Sequence, residues 1–460
     1  MINLTEQVIK RVLWFSENSL PDNIIHSAKR CLLDYCGVLL AGASENTANS
    51  QKILSLSKEI GNAGSNVAFG LNSTVDVYTA VSINSFNAHF EELDDGHRYG
   101  MLHLGSSIIT AALAASECKN TDNLTVLKAI VCGYDVSIAL AGCMQPDLKL
   151  KGYHATGVCC VIGAAMAWAV IMGYDRQQVS STLAAAATSA AGLLEMIDGR
   201  SEMKPYNISQ TTASGVLAAV WGAAGINGPE DVIGGRRGFL SVLSTKERLK
   251  DAEDRPLFPD GNYAIEEIYT KPYAACRHCH PPIEAVLNIR KKNRWTDKSF
   301  INNAVKKIEI VTYTMAIKGH DHIEIKSVQS AKMSIPYSVS AALLLGKYGM
   351  DAYEDIILQD DSINDCMKKI LFSADPEMDR NNPQKRSAEV KIYLESGEVF
   401  SDRVDYPRGE PENQMTDKDM EDKFKELARF SGKTDEETQK IINLIWDYDN
   451  SVETVIDHLR

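Results

Sequence analysis

Val158-Cys159-Cys160-Val161-Ile162-Gly163-Ala164-Ala165-Met166-Ala167-Trp168-Ala169-Val170-Ile171-Met172 is the stretch whose reading decides the fold. It carries no charge. It is shorter than the ~18 uncharged apolar residues that a membrane span needs, and it is rich in Ala and Gly. A helix that is apolar on every side belongs in the core of a large protein. Working outward, Gly173-Tyr174-Asp175 reads as a helix stop followed by a new start. The same texture recurs in Ile24–Leu40, Ser106–Ser116, Leu124–Ala141, Val179–Leu194 and Thr212–Ala224, with Gly42 breaking the first of these. Small residues on so many faces imply tight helix–helix contacts, as in a large bundle.

The texture changes near residue 260. Val305–Thr312 alternates apolar and polar residues, as a half-buried strand does. Ala388–Leu394 and Val399–Val404 flank Ser396-Gly397-Glu398 and read as a hairpin. Ile283–Arg290 and Tyr337–Leu345 read as helices beside them. After Pro407-Arg408-Gly409 the chain turns helical again, at Asp417–Phe430 and Glu436–Trp446. The expected fold is therefore mostly α. A large all-helical domain (1–259) carries a smaller α+β lid domain (260–404), and C-terminal helices (405–460) return to the first domain.

The 460 residues hold 48 basic and 61 acidic side chains, a net charge of −13. That balance speaks against nucleic acid as a partner and against a polybasic membrane anchor. No basic and apolar leader opens the chain, and ten cysteines are too few for a disulfide framework. A reducing cytoplasm is the expected location. P-loop, dinucleotide-binding, Ser-hydrolase and HExxH patterns are absent.

Chemistry concentrates in polar clusters. His89 to Gly105 holds four acids, three His and three Gly in seventeen residues, which is poor core material and a candidate functional loop. Lys151-Gly152-Tyr153-His154-Ala155-Thr156-Gly157 places His154 at the mouth of the apolar helix, where a capping role is equally open. Asp198-Gly199 leads to Met203-Lys204. Lys271-Pro272-Tyr273-Ala274-Ala275-Cys276-Arg277-His278-Cys279-His280 suggests zinc, but no second ligand pair follows until His320. The alternative is a turn that presents Arg277 and His280 to an anion. Gly319-His320-Asp321-His322 reads as a surface loop, and Tyr337 opens an apolar helix.

In this order the segments resemble the MmgE/PrpD family, which includes 2-methylcitrate dehydratase, cis-aconitate decarboxylase and iminodisuccinate epimerase. The resemblance starts at Leu32-Leu33-Asp34 with Leu40-Ala41-Gly42. It runs through Glu92–Asp95, His103, Gly152–Gly157, Lys204, Lys271–His280 and Ser334–Tyr337, and ends at Pro407-Arg408-Gly409 with Lys423-Phe424. It implies a homodimer whose active site lies between the two domains. Carried over residue by residue, it implies Asp94 (or Asp95), His103, His154, Lys204, His280 and Tyr337 as catalytic, and His97, Lys271 and Arg277 as substrate-binding. It implies no cofactor and no metal. Relatives carry His-Pro where this chain has His103-Leu104, and a Thr-Trp pair where it has Gly96–Tyr99, so the substrate class is implied rather than the substrate.

The expected activity is a cofactor-independent lyase, a dehydratase or decarboxylase acting on a small di- or tricarboxylate. Cations would hold the carboxylates, and His, Lys and Tyr would move protons. An epimerase of a dicarboxylate shares the first carbanion-like species. The competing readings are a catalytically silent binding protein and a metal-binding protein using Cys276, His278, Cys279, His280, His320 and His322.

Overall fold

Apolar and small residues recur at helical spacing through the first half of the chain, with caps between the runs. The computed structural model describes residues 3–197, 201, 203–447 and 452–460. It begins with α1 (Leu4–Glu17), α2 (Asp22–Glu45), α3 (Thr47–Glu59), a small hairpin of β1 (Asn66–Ala68) and β2 (Ser73–Val75), and α4 (Val77–Phe90). Then come α5 (Gly105–Cys118), α6 (Asn123–Gly142), the single turn α7 (Asp147–Leu150), α8 (Ala155–Met172), α9 (Arg176–Thr188) and α10 (Met203–Gly222). Short α11 (Phe239–Leu243) and α12 (Lys246–Asp254) follow.

The apolar run forms α8, and every residue from Ala155 to Ile171 is buried. Helices α5, α6, α9 and α10 surround it. Gly173 ends it at a left-handed φ of 67°, and Asp175 starts α9 with a full capping box. Small residues set the helix spacing. A Cβ on Gly163 would lie 2.0 Å from Ser137 Oγ and 2.7 Å from the Gly133 carbonyl, so α6 and α8 meet backbone to backbone. Both are long and apolar enough to cross a bilayer, but 78% and 94% of their most apolar windows are buried inside the protein.

Some boundaries differ from the sequence expectation. Gly42 does not stop α2, which runs on to Glu45. A Cβ there would lie 2.0 Å from the Asn87 carbonyl oxygen, so this glycine serves a close crossing with α4. Helix α9 stops at Thr188 rather than Leu194; Gly192, at φ 140°, belongs to the connection that follows. Helix α10 starts at Met203 rather than Thr212, which puts Lys204 on its first turn. The expected Asp198-Gly199 turn lies outside the described residues.

In the second half, α13 (His280–Lys292) packs on a sheet of β3 (Val305–Thr312), β4 (Ile370–Ala374), β5 (Ala388–Leu394) and β6 (Val399–Val404), and the helix Ile335–Leu345 packs against α13. The strand order is β4-β3-β5-β6, and only the β3–β4 pair is parallel. Strands β3, β5 and β6 fall on the expected residues, whereas β4 and the β1–β2 hairpin are additions. Ile308, Ile310, Val390 and Ile392 face this second core. The helix Asp417–Phe430 lies on α2, where Phe424 comes to within 3.2 Å of a Cβ placed on Gly37. From that helix Lys423 Nζ reaches Asp34 Oδ1 at 2.6 Å and the Leu93 carbonyl at 3.0 Å.

Candidate active site

Side chains from both cores line one cleft. Its inner part, about 140 Å³, is walled by His103, His154 and Lys204 on the helical side, and by Cys276, Arg277, His278, His320 and Arg386 on the other. It opens into a mouth of about 330 Å³ that shares Glu92, Lys204 and His320.

The end of α4 builds the floor. Glu92 takes a positive φ of 54°, uncommon for a residue with a side chain. Its carboxylate meets the Lys204 ammonium and lies 3.3 Å from Lys271 Nζ, which also donates to the Glu92 carbonyl at 2.8 Å. Burial opposes ionisation of Glu92, but the two lysines outweigh it and hold the carboxyl well below its usual range. Asp94 Oδ2 sits 2.7 Å from His89 Nδ1 and accepts from Ser106 Oγ at 2.6 Å. Its Oδ1 lies 3.5 Å from His103 Nδ1. Burial again opposes ionisation, and the neighbouring His89, with its hydrogen bond, and Lys271 override it. Asp95 turns away, accepting from the Gly105 amide at 2.9 Å and from Tyr134 Oη at 2.5 Å. Burial pushes its carboxyl up to about 7. Of the two candidate acids, Asp94 is therefore the one beside His103.

The two cleft histidines are oriented from behind. His103 Nδ1 lies 3.0 Å from the Asp95 carbonyl, so that nitrogen carries the hydrogen and Nε2 keeps its lone pair. His154 Nδ1 lies 2.7 Å from Asn207 Oδ1, with the same consequence. Burial and Lys204 bring His154 down to about 3. Burial, with Lys271 and Lys204 behind it, likewise keeps His103 well below its usual range despite Asp94. Both rings are neutral in the resting cleft and can accept a proton.

Arg386 and Lys149 were not singled out from the sequence. Both line the inner cleft, and no carboxylate oxygen of the described residues lies within 4.0 Å of either. Arg386 is only 7% exposed, and its Nη2 donates to the Arg98 carbonyl at 3.0 Å. Its Nε has no partner. Glu410, the nearby acid, is committed to Arg277 at 2.8 Å and Arg98 at 3.3 Å.

The other expected residues lie elsewhere. Lys271 is buried behind Glu92. Arg277 touches the cleft while held by Glu410 and by His280 Nδ1 at 2.8 Å. His280 is fully buried, its Nε2 3.1 Å from the Ala275 carbonyl. Tyr337 donates to the Ala352 carbonyl. Neither His280 nor Tyr337 lines the cleft. His97 pairs with Glu267 at 3.1 Å and accepts from the Gly100 amide, so the Gly96–Tyr99 loop contributes backbone rather than side chains. The sequence reading missed Glu92 as a lysine partner, Lys149, Arg386, and the meeting of Cys276 with His320 across the fold.

Among the described residues, two groups bring three ligand-type atoms within 4.8 Å of one another: Cys276–His278–His320 and His89–Asp94–His103. In the second, His89 and Asp94 share one hydrogen bond, and His103 Nδ1 is turned to the Asp95 carbonyl. The first faces the fields of Lys149 and Arg386, and such fixed positive charge favours an anion over a divalent cation. The arrangement as a whole suits a small polyanion. Cations would hold it, and two neutral imidazoles would exchange a proton with it.

The family model described as MmgE/PrpD N-terminal domain matches residues 10–252, and that of the MmgE/PrpD C-terminal domain matches 273–448. A cis-aconitate decarboxylase-like protein of Aspergillus oryzae is 22% identical, over 98% of this chain and 95% of its own length. A cis-aconitate decarboxylase of Aspergillus terreus is 23% identical, over 89% of this chain and 86% of its own. That of Mus musculus is 22% identical, over 93% and 87%.

Proposed function

Because the chain belongs to the MmgE/PrpD family, we propose that it is a lyase acting on a small di- or tricarboxylate of the cis-aconitate type. One observation carries this reading: a buried, unpaired Arg386 stands beside Lys149 in a cleft that also holds two neutral histidines. A buried cation without a counter-ion is costly, and a substrate carboxylate supplies the missing charge with two-point geometry. Lys204 takes a second carboxylate by sharing its bond to Glu92.

With the polyanion bound, its negative field raises the histidines, and one of them takes a proton from solvent. In decarboxylation the bond to the departing carboxylate breaks and CO₂ leaves. The electron pair spreads toward the remaining carboxylate, where the cations stabilise it. The imidazolium of His103 or His154 then delivers its proton to carbon. The neutrality of both rings in the empty cleft also suits a base that removes a proton α to a carboxylate, which supports dehydration as the second reading.

Proton NMR time courses with cis-aconitate, citrate, 2-methylcitrate and iminodisuccinate test the proposal. Loss of CO₂ supports the decarboxylase. Loss of water supports the dehydratase. Deuterium uptake with inversion moves the protein to epimerisation, and unchanged spectra throughout reject the carboxylate class. The active form in this reading is a homodimer. Helix α10 turns Met203, Tyr206, Leu217, Val220 and Trp221 outward along one stripe, an apolar face of the kind that a second copy covers.

A further inference from the structure

Neither the carboxylate clamp nor the proton transfer above uses Cys276. Its sulfur is in the inner wall of the cleft, 3.9 Å from His320 Nε2. His320 Nδ1 lies 2.8 Å from the Met333 carbonyl, so its hydrogen sits there and Nε2 is the nitrogen left to take the thiol proton. Cys276 is held in place by its own amide, which donates to the Lys332 carbonyl at 2.9 Å. The residue is the N-cap of the 3₁₀ turn Arg277–Cys279 that leads into α13, and its sulfur makes no cap bond there. Lys149 and Arg386 add positive field from two other segments, and Glu92 opposes them. Tyr313 and Cys279, also adjacent, are held protonated by burial.

We propose that Cys276 and His320 form a nucleophilic thiolate–imidazolium dyad that covalently captures carboxylates bearing an electrophilic carbon, above all α,β-unsaturated diacids. The cleft supplies both halves of the recognition: its cations take the carboxylate and the sulfur meets the carbon beside it. In the capture step a sulfur electron pair forms a bond to the β-carbon. The π pair moves to the α-carbon and its carboxylate, and the proton on His320 passes to that α-carbon. The net change is addition of S–H across the double bond, with nothing oxidised. Burial opposes the thiolate, but His320 outweighs it and brings the thiol below its usual range, while the imidazole rises. Such an adduct would close the cleft to further substrate, a brake set by accumulating unsaturated acid. The proposal rests on the carboxylate-binding cleft described above, but not on any turnover within it.

The test alkylates the full chain with iodoacetate and with iodoacetamide, read by intact mass and peptide mapping. Each reaction forms a C–S bond as iodide leaves with the C–I pair. Cys276 is expected to react before the exposed Cys118, and iodoacetate to outpace the neutral reagent by roughly tenfold through local attraction. The rate is expected to hold at more acid pH than that of an ordinary thiol of pKa ~8.5. Cys276→Ser removes the fast mass gain, His320→Asn slows it, and Arg386→Ala erases the preference for iodoacetate. Fumarate is expected to add its whole mass at Cys276.

Faster reaction with iodoacetamide, or first modification at another cysteine, overturns the dyad. So does zinc that survives a chelator and shields Cys276, since the sulfur would then be a metal ligand. If the substrate panel fails while the iodoacetate preference stands, the lyase reading falls and the dyad remains.

Discussion

Arg386 shows how one side chain can be poor for stability and good for binding. Its guanidinium is buried with one nitrogen unpartnered. Arg386→Ala is therefore expected to leave the unfolding midpoint unchanged or slightly raised. Loss of one charged hydrogen bond to substrate should lower kcat/KM by roughly 10- to 100-fold, the equivalent of about 1.5–3 kcal/mol. Urea denaturation and steady-state kinetics on the same preparation separate the two effects. A drop in stability as large as the drop in activity would mark Arg386 as structural. Asp95 gives a prediction in pH. Its carboxyl is raised by burial to about 7 in the folded chain, against about 3.9 when unfolded. The folded state thus binds the extra proton, and the stability this gives is lost as pH rises through 7. Asp95→Asn has no such loss, so its midpoint should climb relative to the parent between pH 5 and pH 8. A constant difference would mean that Asp95 is ionised throughout.

Among the elements, those with a strong period were legible in the sequence. Helix α8 was readable from its uninterrupted apolar run, its end from Gly173-Tyr174-Asp175, and β3 from the alternation centred on Ile308-Glu309-Ile310. Strand β4 was not: of its five residues only Ile370 is buried, so it leaves no alternating signature. Gly42 looked like a stop because a glycine that admits a neighbouring helix is the same letter as one that ends its own. The α6–α8 crossing carries a prediction. Gly163→Ala drives a methyl into Ser137 Oγ and the Gly133 backbone, and should cost about 1–3 kcal/mol by overpacking. Thermal unfolding of the variant measures it, and a loss under half a kcal/mol would mean that the two helices separate easily.

For the whole molecule, the pieces of the site were legible and their meeting was not. His103 and His154 were recognisable from local clusters, and Lys204, which alone reads as a surface charge, only from the family resemblance. Arg386 stands in a plain loop, and Cys276 and His320 are separated by 44 positions, so only the fold puts them together. The apolar stripe on α10 belongs to the same scale. Light scattering should give the mass of two chains, and Tyr206→Glu with Trp221→Glu should halve it; a monomeric parent would reject the homodimer. The seam between the two cores is held by buried ion pairs: Lys332 to Glu91, Lys271 to Glu92, and Arg277 to Glu410, which also takes Arg98. In most of them one charge comes from each half. Grafting a relative's sheet half onto this helical half would strand those charges in the interior unless every partner travelled with it, at several kcal/mol for each pair broken. The two halves are thus bound to change together, and the pairing along the seam constrains which hybrids within the family can fold at all.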